Sequence, residues 1–177
     1  MGGNVPLVPK DAPPLQPGPP PRARPVLDEV DRRIVAELLR DGRTPNVVLA
    51  RAAGVAESTC LARVRSLRER GIVTGVTAQV DLARLGLPVQ AMVAIRFSGH
   101  LRADVDAFAE EVTRLAGVIA TYNISGGNDF LVHVAAPTPE DLRDFVLDNL
   151  TGRPGVVHAE TSLVFHVNRG SNILPSG

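Results

Sequence analysis

The sequence contains one cysteine, Cys60, and no tryptophan. A single cysteine excludes an intramolecular disulfide framework and a thiolate-rich metal cluster. The histidines lie far apart without a metal-ligand spacing, so we expect them to be ordinary strand and loop residues; they are His100, His133, His158 and His166. The sequence therefore predicts no metal site and no cofactor, and it does not require an oxidising compartment.

Long apolar runs are also missing. No stretch approaches the ~20 uncharged apolar residues of a membrane helix, and the N-terminus lacks the basic-then-apolar order of a secretory signal. We therefore expect a cytoplasmic protein without a membrane partner. A hydrophobic fraction of 44% over 177 residues is enough for one ordinary domain or two small ones.

Catalytic arrangements are absent as well: no Ser/His/Asp set, paired carboxylates or phosphate loop is present. Asp129 and His133 are close in sequence, but a turn and a strand seldom supply a catalytic pair without further partners. We therefore predict that the protein is not an enzyme and has no catalytic residues.

The net charge is zero, but the charges are unevenly distributed. Residues 26–75 carry nine arginines against seven acidic residues, a balance of +2. Residues 76–177 carry seven arginines against eleven acidic residues, a balance of −4. A basic bias confined to one region can still favour phosphate binding, because the field near the contact surface matters more than the total charge.

Residues 1–25 hold nine of the fifteen prolines and few large apolar side chains. Such a segment cannot form a core, so we predict a disordered or polyproline-like arm. The favoured interpretation is a dispensable leader. The alternative is that Lys10, Arg22 and Arg24 add non-specific phosphate contacts.

Three helical patterns follow, and they define a trihelical domain over residues 26–72. The first, from about Asp28 to Arg40, has Asp28 as its N-cap. The second has Thr44 as N-cap and Pro45 at its first helical position, and ends at Gly54. The third runs from about Glu57 to Arg70.

Beyond the third helix, the apolar pattern changes to period two and to short runs. A connecting strand is predicted from Ile72 to Val80, and residues 73–88 are assigned to the connecting strand and hinge. Residues 89–170 then read as strand, helix, strand, strand, helix and strand, followed by a tail, residues 171–177. This βαββαβ order is ferredoxin-like. The strand Val89 to Phe97 is apolar at nearly every position, which indicates a second subunit on the face that the helices do not cover.

The segment from Thr44 to Arg70 has a helix-turn-helix layout, whose second helix lies in the major groove of DNA. On that helix Cys60, Val64 and Leu67, with Leu61 beside them, are expected to face the other helices. The opposite side carries Ser58, Thr59, Ala62, Arg63, Ser66 and Arg70. Small residues allow close approach, and Arg63 is then expected to reach a guanine edge. The alternative is a helical hairpin with a solvated arginine face.

From Leu27 to the C-terminus, the sequence resembles the Lrp/AsnC (feast/famine) transcriptional regulators. The resemblance is carried by Leu27 to Ile34, Asp41 to Thr44, Leu49-Ala50, Ala53 to Val55, Arg63 to Leu67 and Gly71 to Ala78, followed by Val80-Asp81 and Leu85-Gly86. It implies an α+β protein with an N-terminal winged-type helix-turn-helix domain, a connecting strand and a C-terminal βαββαβ sensor domain. The expected DNA-contacting residues are Thr44, Ser58, Thr59, Ala62, Arg63, Arg65 and Ser66.

The sequence departs from the family at Val55-Ala56, where Leu-Ser is common. Ala56 cannot act as a side-chain cap, so the third helix is expected to start later, with Ser58 as its cap.

The resemblance also implies a small effector, with an amino acid expected, bound in loops of the second domain where subunits meet. The turn Ser125 to Asp129 fits that role, because glycines let backbone amides approach a carboxylate and Asp129 can accept an ammonium. The same residues also suit an ordinary hairpin. The effector-binding set is Tyr122, Gly126, Gly127, Asn128, Asp129 and Thr161.

The resemblance further implies a homodimer, paired through the connecting strands and sensor sheets, that assembles into higher oligomers on double-stranded DNA. A rival interpretation is a regulatory module of a metabolic enzyme, since βαββαβ domains also bind amino acids. The helix-turn-helix pattern and its basic bias favour the DNA-binding interpretation.

Overall fold

The computed structural model describes residues 27–99, 102–168, 170 and 174. The predicted arm, with Lys10, Arg22 and Arg24, lies outside the described residues, as do His100 and most of the tail. The chain divides into two compact units, one extending to Val76 and including Leu174, the other beginning at Thr77. The division falls inside the predicted hinge segment.

Between residues 27 and 76, the first unit has three helices, α1 (Glu29–Arg40), α2 (Asn46–Ala53) and α3 (Glu57–Glu69). Their apolar faces meet in a core of Ile34, Val35, Leu49, Ala50, Ala53, Cys60, Val64 and Leu67, against which Leu174 also packs. Cys60 is fully buried, and this burial raises the pKa of its thiol. The predicted three-helix unit is confirmed.

Two predicted helix starts are wrong. The N-cap of α2 is Pro45, while the Thr44 hydroxyl donates to the Asp41 carbonyl over 2.7 Å. In α3, Ala56 occupies the N-cap position without a side-chain bond. Its carbonyl accepts a hydrogen bond from the backbone of buried Cys60. Core packing therefore outweighs the missing cap, which is worth ~1 kcal/mol. The predicted Asp28 cap of α1 is confirmed, since its carboxylate accepts from the Asp31 amide over 2.8 Å.

No β-strand lies between residues 27 and 88, all of which the structure describes. The first unit therefore has no wing, and the strand predicted from Ile72 to Val80 does not form within the chain. A strand needs hydrogen bonds to a neighbouring strand. The predicted neighbour is the connecting strand of a second subunit.

As far as the structure describes it, the second unit is a four-stranded antiparallel sheet with two helices. Its elements are β1 (Val89–Phe97), α4 (Arg102–Thr113), β2 (Val118–Asn123), β3 (Phe130–Ala136), α5 (Pro139–Val146) and β4 (Val156–Leu163). A π-helical turn, Leu147–Thr151, extends α5. The strand order β2-β3-β1-β4 places β2 and β4 at opposite edges of the sheet. The predicted α+β class and βαββαβ order are confirmed.

One face of this sheet is covered by the helices. Its core comprises Ala91, Val93, Ile95, Phe97, Phe108, Val112, Phe130, Val132, Val134, Ala136, Leu142, Val146 and Leu150. On the opposite face Met92 lies across from His133 and Ala94 from Leu131, and all four remain partly exposed. The pairing of that face with a second subunit stays a prediction.

Candidate nucleic-acid interface and effector sites

Helices α2 and α3 are joined by a three-residue turn, Gly54 to Ala56. Gly54 has a φ of 71°, a left-handed conformation that glycine adopts without steric cost, and it ends α2. The Asn46 amide nitrogen donates to the Glu57 carbonyl over 2.9 Å and so connects the starts of the two helices. This role of Asn46 was not predicted from the sequence, because nothing in the periodicity marks a side chain that bonds to a second helix.

The exposed side of α3 carries mainly small and polar residues. Ser58, Thr59, Ala62 and Arg65 are exposed, and Ser66 is half-buried. Leu61 is also on this side with 54% of its surface exposed, so its predicted place in the core is wrong. Because Ser58, Ala62 and Arg65 recur at spacings of four and three, they share one helix face. This face can approach another surface closely.

Arg63 and Arg70 do not lie on that face. An Arg63 guanidinium nitrogen is 2.5 Å from Asp28 Oδ2 and 3.3 Å from Asp31 Oδ1, and Arg70 is 3.1 Å from Asp31 Oδ2. Each arginine follows a buried residue by three positions, Cys60 and Leu67 respectively, and therefore lies on the flank of α3 beside α1. Their predicted position opposite the core is wrong.

These contacts change the acid–base properties of Asp28 and Arg63. The Asp31 backbone N–H lowers the pKa of Asp28 by donating to its carboxylate, and Arg63 lowers that pKa further. The hydrogen bond to Asp28 in turn raises the pKa of Arg63, with a smaller contribution from Asp31. Both groups therefore remain charged at neutral pH.

In the second unit, the turn Ser125 to Asp129 connects the edge strand β2 to β3. Gly126 has a φ of 128°, which favours glycine. Gly126 and Gly127 are exposed and Asn128 is half-buried. The Asp129 carboxylate accepts from the Phe97 amide over 2.8 Å and so attaches the turn to the end of β1. Tyr122, near the turn on β2, is 48% exposed.

Thr161 lies elsewhere in this unit, on the edge strand β4. It borders a groove of about 240 Å³ together with Pro139, Leu142, Arg143, Val146, Leu147 and Leu163. The groove is largely apolar, with one guanidinium and one hydroxyl at its border. Within one chain, the structure therefore places Tyr122 beside the turn and Thr161 at the opposite edge of the sheet.

In the described part of the chain, no three His, Cys, Asp or Glu side chains are grouped to hold a metal ion. Over the same residues, no helix has the length and hydrophobicity needed to span a membrane.

Two family models match the two units. The AsnC-type helix-turn-helix domain matches residues 27–68, and the Lrp/AsnC ligand binding domain matches residues 90–170. The HTH-type transcriptional regulator AldR of Mycobacterium tuberculosis is 41% identical over 145 residues, covering 82% of this chain and 81% of the relative. The transcriptional regulator AzlB of Bacillus subtilis is 31% identical over 150 residues, covering 85% and 96% respectively.

Solved structures agree with these matches. A Neisseria meningitidis transcriptional regulator in complex with L-Met superposes with a TM-score of 0.77 at 27% identity, covering 85% of this chain and 97% of that one. The crystal structure of the M. tuberculosis AldR gives a TM-score of 0.66 at 37% identity, covering 84% and 100%. These proteins are transcriptional regulators and not enzymes. This chain belongs to the Lrp/AsnC family of HTH-type transcriptional regulators.

Proposed function

We propose that the protein binds specific sequences in double-stranded DNA through the exposed face of α3. The observation that carries this proposal is the presence of small side chains, Ser58 and Ala62, beside an exposed arginine, Arg65, on the second helix of a helix-turn-helix. Small residues let the helix backbone approach the groove floor, and an arginine can recognise guanine through two hydrogen bonds.

The other predicted contacts fit around this centre. Thr59 is exposed beside Ser58, while Ser66 and Thr44 are half-buried and belong to the margin of the proposed interface. Arg63 is held by two carboxylates and is 40% exposed. We assign base contact to Arg65, and we keep Arg63 as a residue on the flank that can reach a phosphate.

The salt dependence of duplex binding tests this function. Each phosphate contact releases counterions, so a dimer with about six such contacts is expected to lose roughly a thousandfold in affinity between 50 and 200 mM salt. Gel-shift titrations of the full chain measure its affinity for a random-sequence duplex and for the DNA upstream of its own gene. Equal affinity for the two duplexes at every salt concentration would contradict sequence-specific binding.

We further propose that the protein acts as a homodimer that forms higher oligomers. The sheet face that the helices leave uncovered supports this proposal. It carries Met92, Ala94, Leu131 and His133, which are partly exposed, and a second subunit could cover their largely apolar surface. A two-fold arrangement would present two α3 helices to DNA about one helical turn apart, ~34 to 36 Å.

The effector is proposed to be an amino acid, supported by the relative solved with L-Met. The turn from Ser125 to Asp129 is the proposed site, with Tyr122 beside it. Thr161 joins this site only if a second subunit brings its β4 edge there. We propose that the effector favours one assembly over another, which requires that it bind those assemblies with different affinities.

Calorimetry of the full chain against the twenty amino acids tests the effector proposal. We expect heat from at least one of them, and loss of that heat in Gly127→Asp, which puts a negative charge where the effector carboxylate would lie. Gly152→Asp is the matched control, because Gly152 is exposed in the same unit, has a φ of −79° and has room for a side chain. No heat from any amino acid would exclude this effector class, and unchanged binding by Gly127→Asp would exclude the turn.

A further inference from the structure

Asp31 is the one charged residue that is buried in the part of the chain that the structure describes, with 2% of its surface exposed. It lies on α1, among the residues that pack under α3. An ionised carboxylate in an apolar core is costly unless it is paired and hydrogen-bonded. The contacts of Asp31 therefore need a physical explanation.

One partner of Asp31 lies in α3, and the other is the C-cap residue of that helix. Arg63 is 3.3 Å from one carboxylate oxygen and Arg70 is 3.1 Å from the other. The two arginines are seven residues apart, so they lie on the same side of α3, two turns from one another. A single buried carboxylate thus holds two points of α3 about 10 Å apart along the helix axis.

Asp28 reinforces this arrangement at the start of α1. One of its oxygens caps the helix through the Asp31 amide, and the other pairs with Arg63. Arg63 is therefore held by two carboxylates that are themselves linked through the first turn of α1. The first turn of α1 and the flank of α3 form one network of two positive and two negative charges.

Buried ion pairs contribute little net stability, because desolvation offsets most of the attraction, but removing one partner leaves the other charge uncompensated. Their best-attested role is to specify one geometry among several of similar energy. Apolar contacts around Cys60, Val64 and Leu67 would tolerate a small rotation of α3, whereas two ion pairs to one carboxylate would not. Rotation of α3 would redirect Ser58, Ala62 and Arg65 together.

We propose that Asp31 is a positioning residue that fixes the rotation and axial position of α3 and thereby the sequence selectivity of the regulator. Asp31 itself is buried and does not contact DNA. This inference rests on the proposed DNA binding by α3. Base recognition depends on the exact direction of each side chain, whereas attraction to phosphates depends mainly on charge. Loss of the Asp31 contacts therefore reduces discrimination between sequences more than it reduces binding to random DNA.

In vitro selection from a random duplex library tests the proposal, using the full-length wild type, Asp31→Asn and Glu29→Gln. Glu29→Gln is the matched control, because it removes the same charge from the same helix at an exposed pair with Arg33. We expect Asp31→Asn to bind the starting library like the wild type. Its preference for the selected motif over random sequence should fall about tenfold, which is roughly the effect of one mismatched base pair. Glu29→Gln should select the wild-type motif.

A second variant, Arg70→Gln, decides the question if Asp31→Asn fails to fold. It removes the ion pair to one oxygen of Asp31, while Arg63 still pairs with the buried carboxylate. Reduced discrimination by either folded variant supports the proposal. Selection of the wild-type motif with full discrimination by the folded variant overturns it. If the wild type itself selects no motif, the proposed function has failed instead.

Discussion

An Ala62→Glu variant is expected to fold normally and to lose DNA binding by at least about a hundredfold. Ala62 is exposed in the middle of the α3 face formed with Ser58 and Arg65. Glutamate is compatible with a helix, and its side chain would extend into solvent without disturbing the core. At a DNA interface it would both prevent close approach and place a negative charge beside phosphates, and like-charge contacts of this kind cost several kcal/mol.

Circular dichroism of the variant tests its folding, and gel-shift titration of the same preparation measures its affinity for DNA. Ala107→Glu is the control, since Ala107 is an exposed alanine on α4 in the other unit. It changes the net charge equally and should leave DNA binding within a few-fold of wild type. Ala62→Glu binding that matched this control would show that the exposed α3 face does not enter the groove.

The second large effect is expected in the core of the sensor unit. The rings of Phe97, Phe108 and Phe130 pack together, with centroid separations of 5.1, 5.1 and 6.2 Å. Phe130 is 1% exposed and touches both other rings. Truncating it to alanine removes this contact area and leaves a cavity, so Phe130→Ala should lower the free energy of unfolding by about 3 to 5 kcal/mol.

Urea unfolding measures this loss, with the fluorescence of Tyr122, on β2 of the same unit, as the probe. Phe165→Ala is the matched control, because the Phe165 ring is 94% exposed within the chain. We expect its unfolding free energy to be unchanged at low protein concentration. A loss of unfolding free energy in Phe165→Ala that increased with protein concentration would indicate that Phe165 is buried between subunits. A loss below 1 kcal/mol for Phe130→Ala would contradict the packing described for the three rings.

Much of the fold could be predicted from the sequence because burial imposes periodicity. Residues such as Cys60, Val64 and Leu67 recur at helical spacing, and alternate residues of β1 are buried under the helices. These patterns depend only on neighbouring residues in the chain. The number, type and order of the elements follow from them.

Side-chain partners between elements were harder to predict. The apolar pattern places Leu61 in the core and the two arginines opposite it. In the structure Leu61 is exposed, and Arg63 and Arg70 lie on the flank of α3 beside the carboxylates of α1. Arg63 and Arg70 both bond to Asp31, which is more than thirty residues away in the sequence, and no local pattern predicts contacts at that separation. The separation of Thr161 from the turn has a similar cause, since the strand order of the sheet depends on packing across the whole unit.

The hydrogen bond between Asp129 and the Phe97 amide has a mechanical consequence for the sensor unit. One carboxylate oxygen of Asp129 links the turn to the backbone of Phe97, whose ring packs against Phe108 and Phe130. Displacement of the turn therefore acts on Phe97 through this hydrogen bond as well as through the adjoining strands. A molecule bound at this turn would therefore contact a segment that is hydrogen-bonded to the residue at one corner of the aromatic core.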